Sequence, residues 1–153
     1  MNETVYLDHA ATTPMHPDVI EVMTETMKEN YGNASSIYQI GRESRGLVEE
    51  ARRTFAQSIH ASPQEIIITS GGTESDNMAV LKTAEKFKDH GKHIITTAIE
   101  HPAVLKPMAY LEEAGFEITY LSVNKKGEVT LDQVQKALRE DTILVSIMYG
   151  NNE

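Results

Sequence analysis

An apolar, β-branched run that stops at two glycines constrains this chain more than any other feature. Residues 66–68 are all isoleucine, and Gly71, Gly72 and a helix-capping stretch at 73–77 follow. A buried strand that leads through a tight turn into a helix has this pattern. Backbone N–H groups and the positive end of the helix dipole meet at such a turn, so it suits a phosphate or carboxylate group. An ordinary strand–helix turn with a Thr or Ser cap explains the same residues.

The composition is that of a soluble, globular protein. A length of 153 residues is enough for one domain with a sizeable core. The residues are 40% hydrophobic and 24% charged, which is typical of a globular chain. A net charge of -9 with scattered Lys and Arg argues against a nucleic-acid surface. The absence of cysteine excludes a thiol nucleophile from these residues. No apolar run approaches membrane-spanning length and the first residues do not resemble a signal peptide, so we expect a cytoplasmic location without a membrane partner.

Strands and helices are predicted to alternate from about residue 64 onwards. The predicted strands are 65–69, 93–98, 116–123 and 142–148, and the predicted helices are 74–89, 102–114 and 130–139, the last opened by a capping box at Thr130 and Gln133. Three of the strands are near-continuous apolar runs. Because strands covered on both faces look like this, the pattern predicts an α/β fold with a mainly parallel sheet.

The region before residue 64 is predicted to be mainly helical. A short strand at 4–7 precedes helices at 17–30 and 41–60, with a break at 31–36 between them. We expect the methionines of the first of these helices to lie in the core. In the later helix 74–89, we expect four apolar side chains to face inward, namely Val80, Leu81, Ala84 and Phe87.

Three polar segments follow predicted strands, at residues 70–73, 100–101 and 150–153. Parallel sheets bind ligands beyond the carboxyl ends of their strands, so we expect these segments to converge. His101 precedes Pro102 at the start of a helix, where an imidazole can stack on a flat ring and move protons. A capping or partly buried histidine is equally compatible with that position. The amides of Asn151 and Asn152 could bind a ligand hydroxyl, although a polar turn after a strand explains them too.

The remaining histidines show no metal-ligand spacing, and we interpret all of them as surface or loop residues: His9, His16, His60, His90 and His93. We therefore predict no metal site.

Together, these segments resemble the N-terminal part of a NifS/IscS-type cysteine desulfurase, a pyridoxal 5'-phosphate (PLP) enzyme of the class V aminotransferase family. The resemblance runs over all 153 residues in the right order. It depends on five segments, which are 6–14, 31–36 (with Ala34 where the family usually has proline), 69–77, 100–101 and 145–153. Any one of these segments is a weak signal, but five in order are specific.

The resemblance implies the large domain of a fold type I PLP-dependent transferase, with helices on both faces of a mainly parallel sheet. Residues 1–30 would belong to the small domain, and residues 31–153 would form the first part of the PLP-binding large domain. Gly72 and Thr73 would bind the cofactor phosphate. His101 would stack on the pyridine ring and act as a catalytic group in proton transfer, and Asn152 would hydrogen-bond the ring hydroxyl.

The resemblance also implies a reaction and its partners. The enzyme would convert L-cysteine to L-alanine and pass sulfur, as an enzyme persulfide, to an acceptor or scaffold protein for iron–sulfur cluster or thio-cofactor assembly. The family's ring-nitrogen aspartate, cofactor-binding lysine, mobile-loop cysteine and substrate-binding arginine all come later than the Asn-Asn-Glu motif. We therefore expect a truncated part of a longer enzyme that is inactive alone, and a homo-oligomer that covers the exposed sheet edge and apolar faces.

Other interpretations stay open at the level of sequence. The first is another class V enzyme such as a selenocysteine lyase, which the downstream cysteine loop would distinguish. The second is a non-catalytic phosphate-binding or oligomerising module, and the third is a folded chain without function.

Overall fold

The computed structural model describes residues 5–9 and 11–151 of the chain. Its elements in chain order are α1 (Pro17–Glu29), α2 (Gln39–Ser58), a 3₁₀ turn (Pro63–Glu65), α3 (Gly72–Phe87), β1 (His93–Thr97), α4 (Pro102–Glu113), β2 (Glu117–Leu121), α5 (Leu131–Ala137) and β3 (Thr142–Val145). The residues form two compact units, one that ends at Ile68 and one that begins at Thr69. The predicted domain boundary near residue 30 stays a prediction.

The second unit is built on a parallel sheet in the order β2-β1-β3. The central strand β1 begins with His93, which aligns with Glu117 of β2 and Thr142 of β3. Every residue of β1 is buried, as expected of a strand covered on both faces. The predicted α/β class with a parallel sheet is confirmed.

The hydrophobic core lies where α3 and α4 pack against one face of this sheet. Ile94 of β1 is fully buried there, and the other buried members come from the two helices, namely Val80, Ala84, Val104, Met108 and Leu111. Phe87 was also predicted to face inward, and this was wrong, since its side chain is 37% exposed. Phe87 is the last residue of α3, and its ring lies beside His90 and under the Lys86 ammonium instead of over the sheet.

Local signals set the ends of the later helices. Pro102 is the first residue of α4, and Gly115 follows its end with a positive φ of 87° that glycine adopts without strain. The predicted capping box is present, because Thr130 and Gln133 exchange side-chain and backbone hydrogen bonds at the start of α5. This helix ends at Ala137, two residues before the predicted end.

The most distinctive apolar run of the sequence forms no strand, contrary to prediction. Residues 66–69 lie outside the sheet, with Ile67 66% and Ile68 57% exposed. The Ile66 amide donates to Pro63, and the Ile66 carbonyl oxygen accepts from the Arg52 guanidinium. A strand exists only when its N–H and C=O groups pair with a neighbouring strand, and the described residues supply no such neighbour to this run.

Two further predictions for the first unit were wrong. Residues 5–7 form no strand, and Thr4 lies outside the described residues. The methionines of α1 are not in a core, since Met23 is 46% and Met27 69% exposed. The helix has the predicted amphipathic pattern, but within the part of the chain that the structure describes nothing covers its apolar side.

The predicted break at 31–36 is a loop packed closely against α2. A Cβ atom on the buried Gly41 would lie 2.6 Å from the Asn33 carbonyl oxygen, so only glycine allows this approach. Nε of Arg45 donates to the Ala34 carbonyl oxygen at 2.8 Å. The loop is therefore held by the helix that follows it.

Candidate functional site

The N-terminus of α3 is open to an incoming group. Gly71 is the N-cap residue and Gly72 is the first helical residue. A Cβ atom built on either glycine would meet nothing within 4 Å, so the space beside this turn is empty. The first N–H groups of a helix have no acceptor within the helix. The turn therefore offers backbone donors, and the positive end of the dipole, to a ligand that approaches over the glycines.

Side-chain hydrogen bonds hold the turn in shape. The Glu74 carboxylate accepts from both the backbone N–H and the hydroxyl of Ser70 at 2.7 Å. These hydrogen bonds, with the hydroxyl first, lower the pKa of Glu74 and keep it ionised. Oγ1 of Thr69 lies 2.7 Å from Oγ of Ser75. The hydroxyl of Thr73, in contrast, has no hydrogen-bond partner among the residues the structure describes, so it can bind a ligand.

Asn77 joins the first turn of α3 to the first turn of α4. Its side-chain amide donates to the Thr73 carbonyl oxygen at 2.8 Å and to the Ala103 carbonyl oxygen at 3.1 Å. Asn77 was not among the predicted site residues. The sequence did contain a signal for this residue. Asparagine is a poor helix former, so an asparagine inside a predicted helix suggests that its side chain makes a specific polar contact.

His101 is the N-cap residue of α4. Its Nδ1 accepts from the Ala103 backbone N–H at 3.0 Å, which confirms the capping interpretation. This contact also assigns the tautomer, since an accepting Nδ1 places the proton of the neutral ring on Nε2. The side chain is exposed, and Nε2 has no partner within residues 5–9 and 11–151. His101 can therefore cap its helix and still offer Nε2 and a ring face to a ligand.

The two helix starts share one shallow depression of about 290 Å³. Its lining residues are Thr73, Asn77, His101, Pro102, Ala103 and Lys106. The arrangement combines the Thr73 hydroxyl and backbone N–H, the positive ends of two helix dipoles and the His101 imidazole. This donor set fits a phosphate group joined to a flat ring.

The segment after β3 also approaches the end of β1, as predicted. Glu100 is buried, and its carboxylate accepts from the Thr97 hydroxyl and from the Met148 backbone N–H, both at 2.8 Å. The side-chain amide of Asn151 donates to the Ile99 carbonyl oxygen at 2.7 Å. The fourth predicted site residue, Asn152, lies outside the described residues.

A second depression, of about 260 Å³, lies between these segments at the carboxyl end of the sheet. It is mainly apolar in its walls, which include Ile99, Val123, Ile147 and Tyr149. It is separate from the depression beside His101, with which it shares no lining residue.

His93 is a buried residue of the sheet, so its interpretation as a surface or loop residue was wrong. It is 1% exposed, with Nδ1 2.7 Å from Oγ1 of Thr142 and Nε2 2.8 Å from Oγ1 of Thr119. Burial lowers the pKa of His93, and the Arg139 guanidinium lowers it further. Sequence reasoning missed this because the threonine partners lie 26 and 49 positions away. The other four histidines are exposed, as predicted.

The described part of the chain holds neither a metal-binding cluster nor a membrane-crossing helix. No group of three or more His, Cys, Asp or Glu side chains there could hold a metal ion. Nor is any helix in it both long and apolar enough to cross a membrane.

Comparison with known proteins gives one family and, within the curated relatives named below, one kind of enzyme. The profile of the family described as aminotransferase class-V matches residues 5–153. The chain is 55% identical, over 153 residues, to the cysteine desulfurase IscS of Dictyoglomus turgidum, covering 100% of this chain and 39% of that protein. It is 52% identical to the cysteine desulfurase IscS of Methanosarcina thermophila, covering 99% of this chain and 38% of the relative.

Solved structures agree with these matches. A NifS-like protein superposes with a TM-score of 0.91 at 44% identity, over 97% of this chain and 41% of that one. A structure of SspA in complex with cysteine superposes with a TM-score of 0.88 at 35% identity, over 98% and 43% of the two chains. The chain thus spans about two fifths of the length of the proteins it matches.

Proposed function

This chain belongs to the aminotransferase class-V family, and from that premise we propose that it supplies the phosphate- and ring-binding half of a PLP site in a cysteine desulfurase. The observation that supports this most is the single depression shared by the first turns of α3 and α4. Its donors suit a phosphate, and its imidazole suits a planar ring. Both curated relatives named above are cysteine desulfurases.

The phosphate would be held by the start of α3. The backbone N–H groups of Gly72 and Thr73 would donate to its oxygens, and the Thr73 hydroxyl would add another hydrogen bond. The open space over Gly71 and Gly72 supports this role, because a Cβ atom on either residue would narrow the approach. The Glu74 carboxylate does not compete for these donors, since it is bonded to Ser70.

The ring would be held by His101 and Asn152. His101 would stack on the pyridine ring, and Asn152 would hydrogen-bond the ring hydroxyl. When bound, PLP supplies an electron-withdrawing ring that stabilises negative charge at the substrate Cα. While Nδ1 accepts from the Ala103 N–H, the neutral ring offers its Nε2–H as a hydrogen-bond donor. To accept a proton in catalysis, His101 would have to release the Ala103 N–H and take the proton at Nδ1.

The relatives' names and the sequence resemblance support a proposal for the substrate, product and partners. We propose L-cysteine as the substrate and L-alanine as the product, with sulfur passed to an acceptor or scaffold protein for iron–sulfur cluster or thio-cofactor assembly. We also propose a homodimeric enzyme in the cytoplasm. The complex of SspA with cysteine supports the choice of substrate, although that ligand belongs to SspA.

A chimera would test this proposal directly. The matched 39% of the Dictyoglomus turgidum relative would be replaced by this chain, which aligns with it over 153 residues. We expect a folded protein that binds PLP, detected by its absorbance, and that releases alanine from L-cysteine. The unmodified relative serves as the positive control.

Variants of the chimera would separate the proposed roles. Thr73→Val removes one phosphate donor and is expected to weaken PLP binding about tenfold, on the order of one charge-assisted hydrogen bond. A folded chimera that binds no PLP would contradict the proposal and favour a non-catalytic module. A chimera that binds PLP but consumes no cysteine would instead favour another activity within the family.

A further inference from the structure

Lys106 lines the same depression as Thr73 and His101, although no motif includes it. It belongs to α4, five residues after the N-cap His101, and its side chain is exposed. A lysine side chain is long and flexible, so its ammonium can follow a ligand that binds at either helix start.

No described carboxylate forms an ion pair with Lys106. Two acidic residues that are adjacent in sequence to lining residues are engaged elsewhere, since Glu74 binds Ser70 and the buried Glu100 binds Thr97 and the Met148 N–H. The depression therefore gathers three sources of positive potential, which are the N-termini of α3 and α4 and the Lys106 ammonium. In a chain with a net charge of -9, this local concentration favours an anion.

We propose that Lys106 is a further phosphate-binding residue of this site, which pairs with the anionic end of the cofactor. The inference rests on the proposed function, because it names an additional contact in the same PLP site. The α3 turn supplies directional hydrogen bonds to the phosphate, and Lys106 supplies a mobile charge from the neighbouring helix.

The test uses pyridoxine 5'-phosphate and pyridoxine, which differ only in the phosphate. Both lack the aldehyde of PLP, so neither forms a covalent adduct with surface lysines, including Lys106 itself. Dissociation constants for the 153-residue chain would be measured by titration calorimetry at two salt concentrations.

The variants are Lys106→Met and Lys106→Arg, with Lys88→Met as the matched control. Lys88 lies at the opposite end of α3 from Gly72, and its substitution changes the net charge equally. We expect Lys106→Met to weaken pyridoxine 5'-phosphate binding about three- to tenfold and to reduce its salt dependence. Lys106→Arg should retain most of the affinity, and pyridoxine binding should not change.

The outcomes separate this inference from the function on which it rests. A wild-type chain that binds both ligands equally would overturn the phosphate site, and Lys106 with it. An affinity for pyridoxine 5'-phosphate that is unchanged in Lys106→Met, in a wild-type chain that prefers the phosphorylated ligand, would overturn the role of Lys106 alone. An equal loss in Lys88→Met would have the same meaning, because net charge would then explain the effect.

Discussion

Nδ1 of His93 lies 2.7 Å from Oγ1 of Thr142, and Nε2 of the same ring lies 2.8 Å from Oγ1 of Thr119. One imidazole from the central strand therefore joins both neighbouring strands. The ring is buried and its lowered pKa keeps it neutral, so one nitrogen donates and the other accepts. The charged ring is disfavoured, because its charge would be buried and would lie beside the positively charged Arg139.

This contact predicts a loss of stability in mild acid. The folded-state pKa of His93 is lowered, chiefly by burial and then by Arg139, while Asp141 and Glu117 oppose the shift. Between the folded and unfolded pKa values, the unfolded chain binds the additional proton. The free energy of unfolding should therefore fall as the pH drops below about 6.5, by at most about 1.4 kcal/mol per pH unit.

Urea unfolding between pH 7.5 and 5 would measure this dependence. His93→Gln should be less stable at pH 7.5, because the two threonine contacts are altered, but its stability should fall less steeply with pH. His90→Gln is the control, since His90 is exposed in the turn that follows α3. Equal slopes in wild type and His93→Gln would show that another group controls the acid response.

The two roles of His101 can be separated by substitution. His101→Ala removes the side-chain acceptor for the Ala103 N–H and should lower the free energy of unfolding by about 1 kcal/mol. His101→Asn retains a good helix cap, so it should restore that stability but lose the imidazole ring. In the chimera, both variants should bind PLP more weakly and lose activity. If His101→Asn had normal activity, capping of α4 would be the only role left for His101.

Asn77 is expected to position the two helix starts. Asn77→Asp removes the amide donor and places a carboxylate beside the carbonyl oxygens of Thr73 and Ala103. We expect a loss of about 1–3 kcal/mol in unfolding free energy. Asn77→Ala should lose less, because alanine is a better helix former and adds no charge. If thermal unfolding showed Asn77→Asp to be no less stable than Asn77→Ala, the two hydrogen bonds of the Asn77 amide would contribute little to stability.

The apolar side of α1 predicts self-association. Ile20, Met23 and Met27 are 51%, 46% and 69% exposed, and large exposed apolar patches favour contact with another surface. We expect light scattering to show oligomers that dissociate on dilution. Met27→Glu should weaken them, whereas Lys28→Gln, with the same change in net charge on the polar side of the helix, should not. A wild-type chain that stays monomeric at high concentration would contradict this.

Features governed by neighbouring residues were predictable from the sequence. Pro102 and Gly115 correctly predicted the limits of α4, and Thr130 with Gln133 predicted the start of α5. The approach of the segments that follow β1 and β3 was also predictable, because parallel strands end at the same edge of a sheet.

Features that depend on distant residues were not predictable. Residues 66–68 have the composition of a strand but no strand partner in the described chain, so they stay outside the sheet. Nothing near His93 in the sequence indicated a buried contact, because its partners Thr119 and Thr142 reach its ring only in the folded chain. Asn77 and Lys106 joined the candidate site only when α3 packed beside α4.

The sequence by itself determined the helix caps, the turns, the α/β class and the loop that suits a phosphate, because propensity, capping and periodicity act over a few residues. Tertiary structure alone decided which apolar run became a strand, which histidine was buried and which side chains share the depression beside His101. Backbone pairing and desolvation depend on groups that are far apart in the chain and meet only in the folded state.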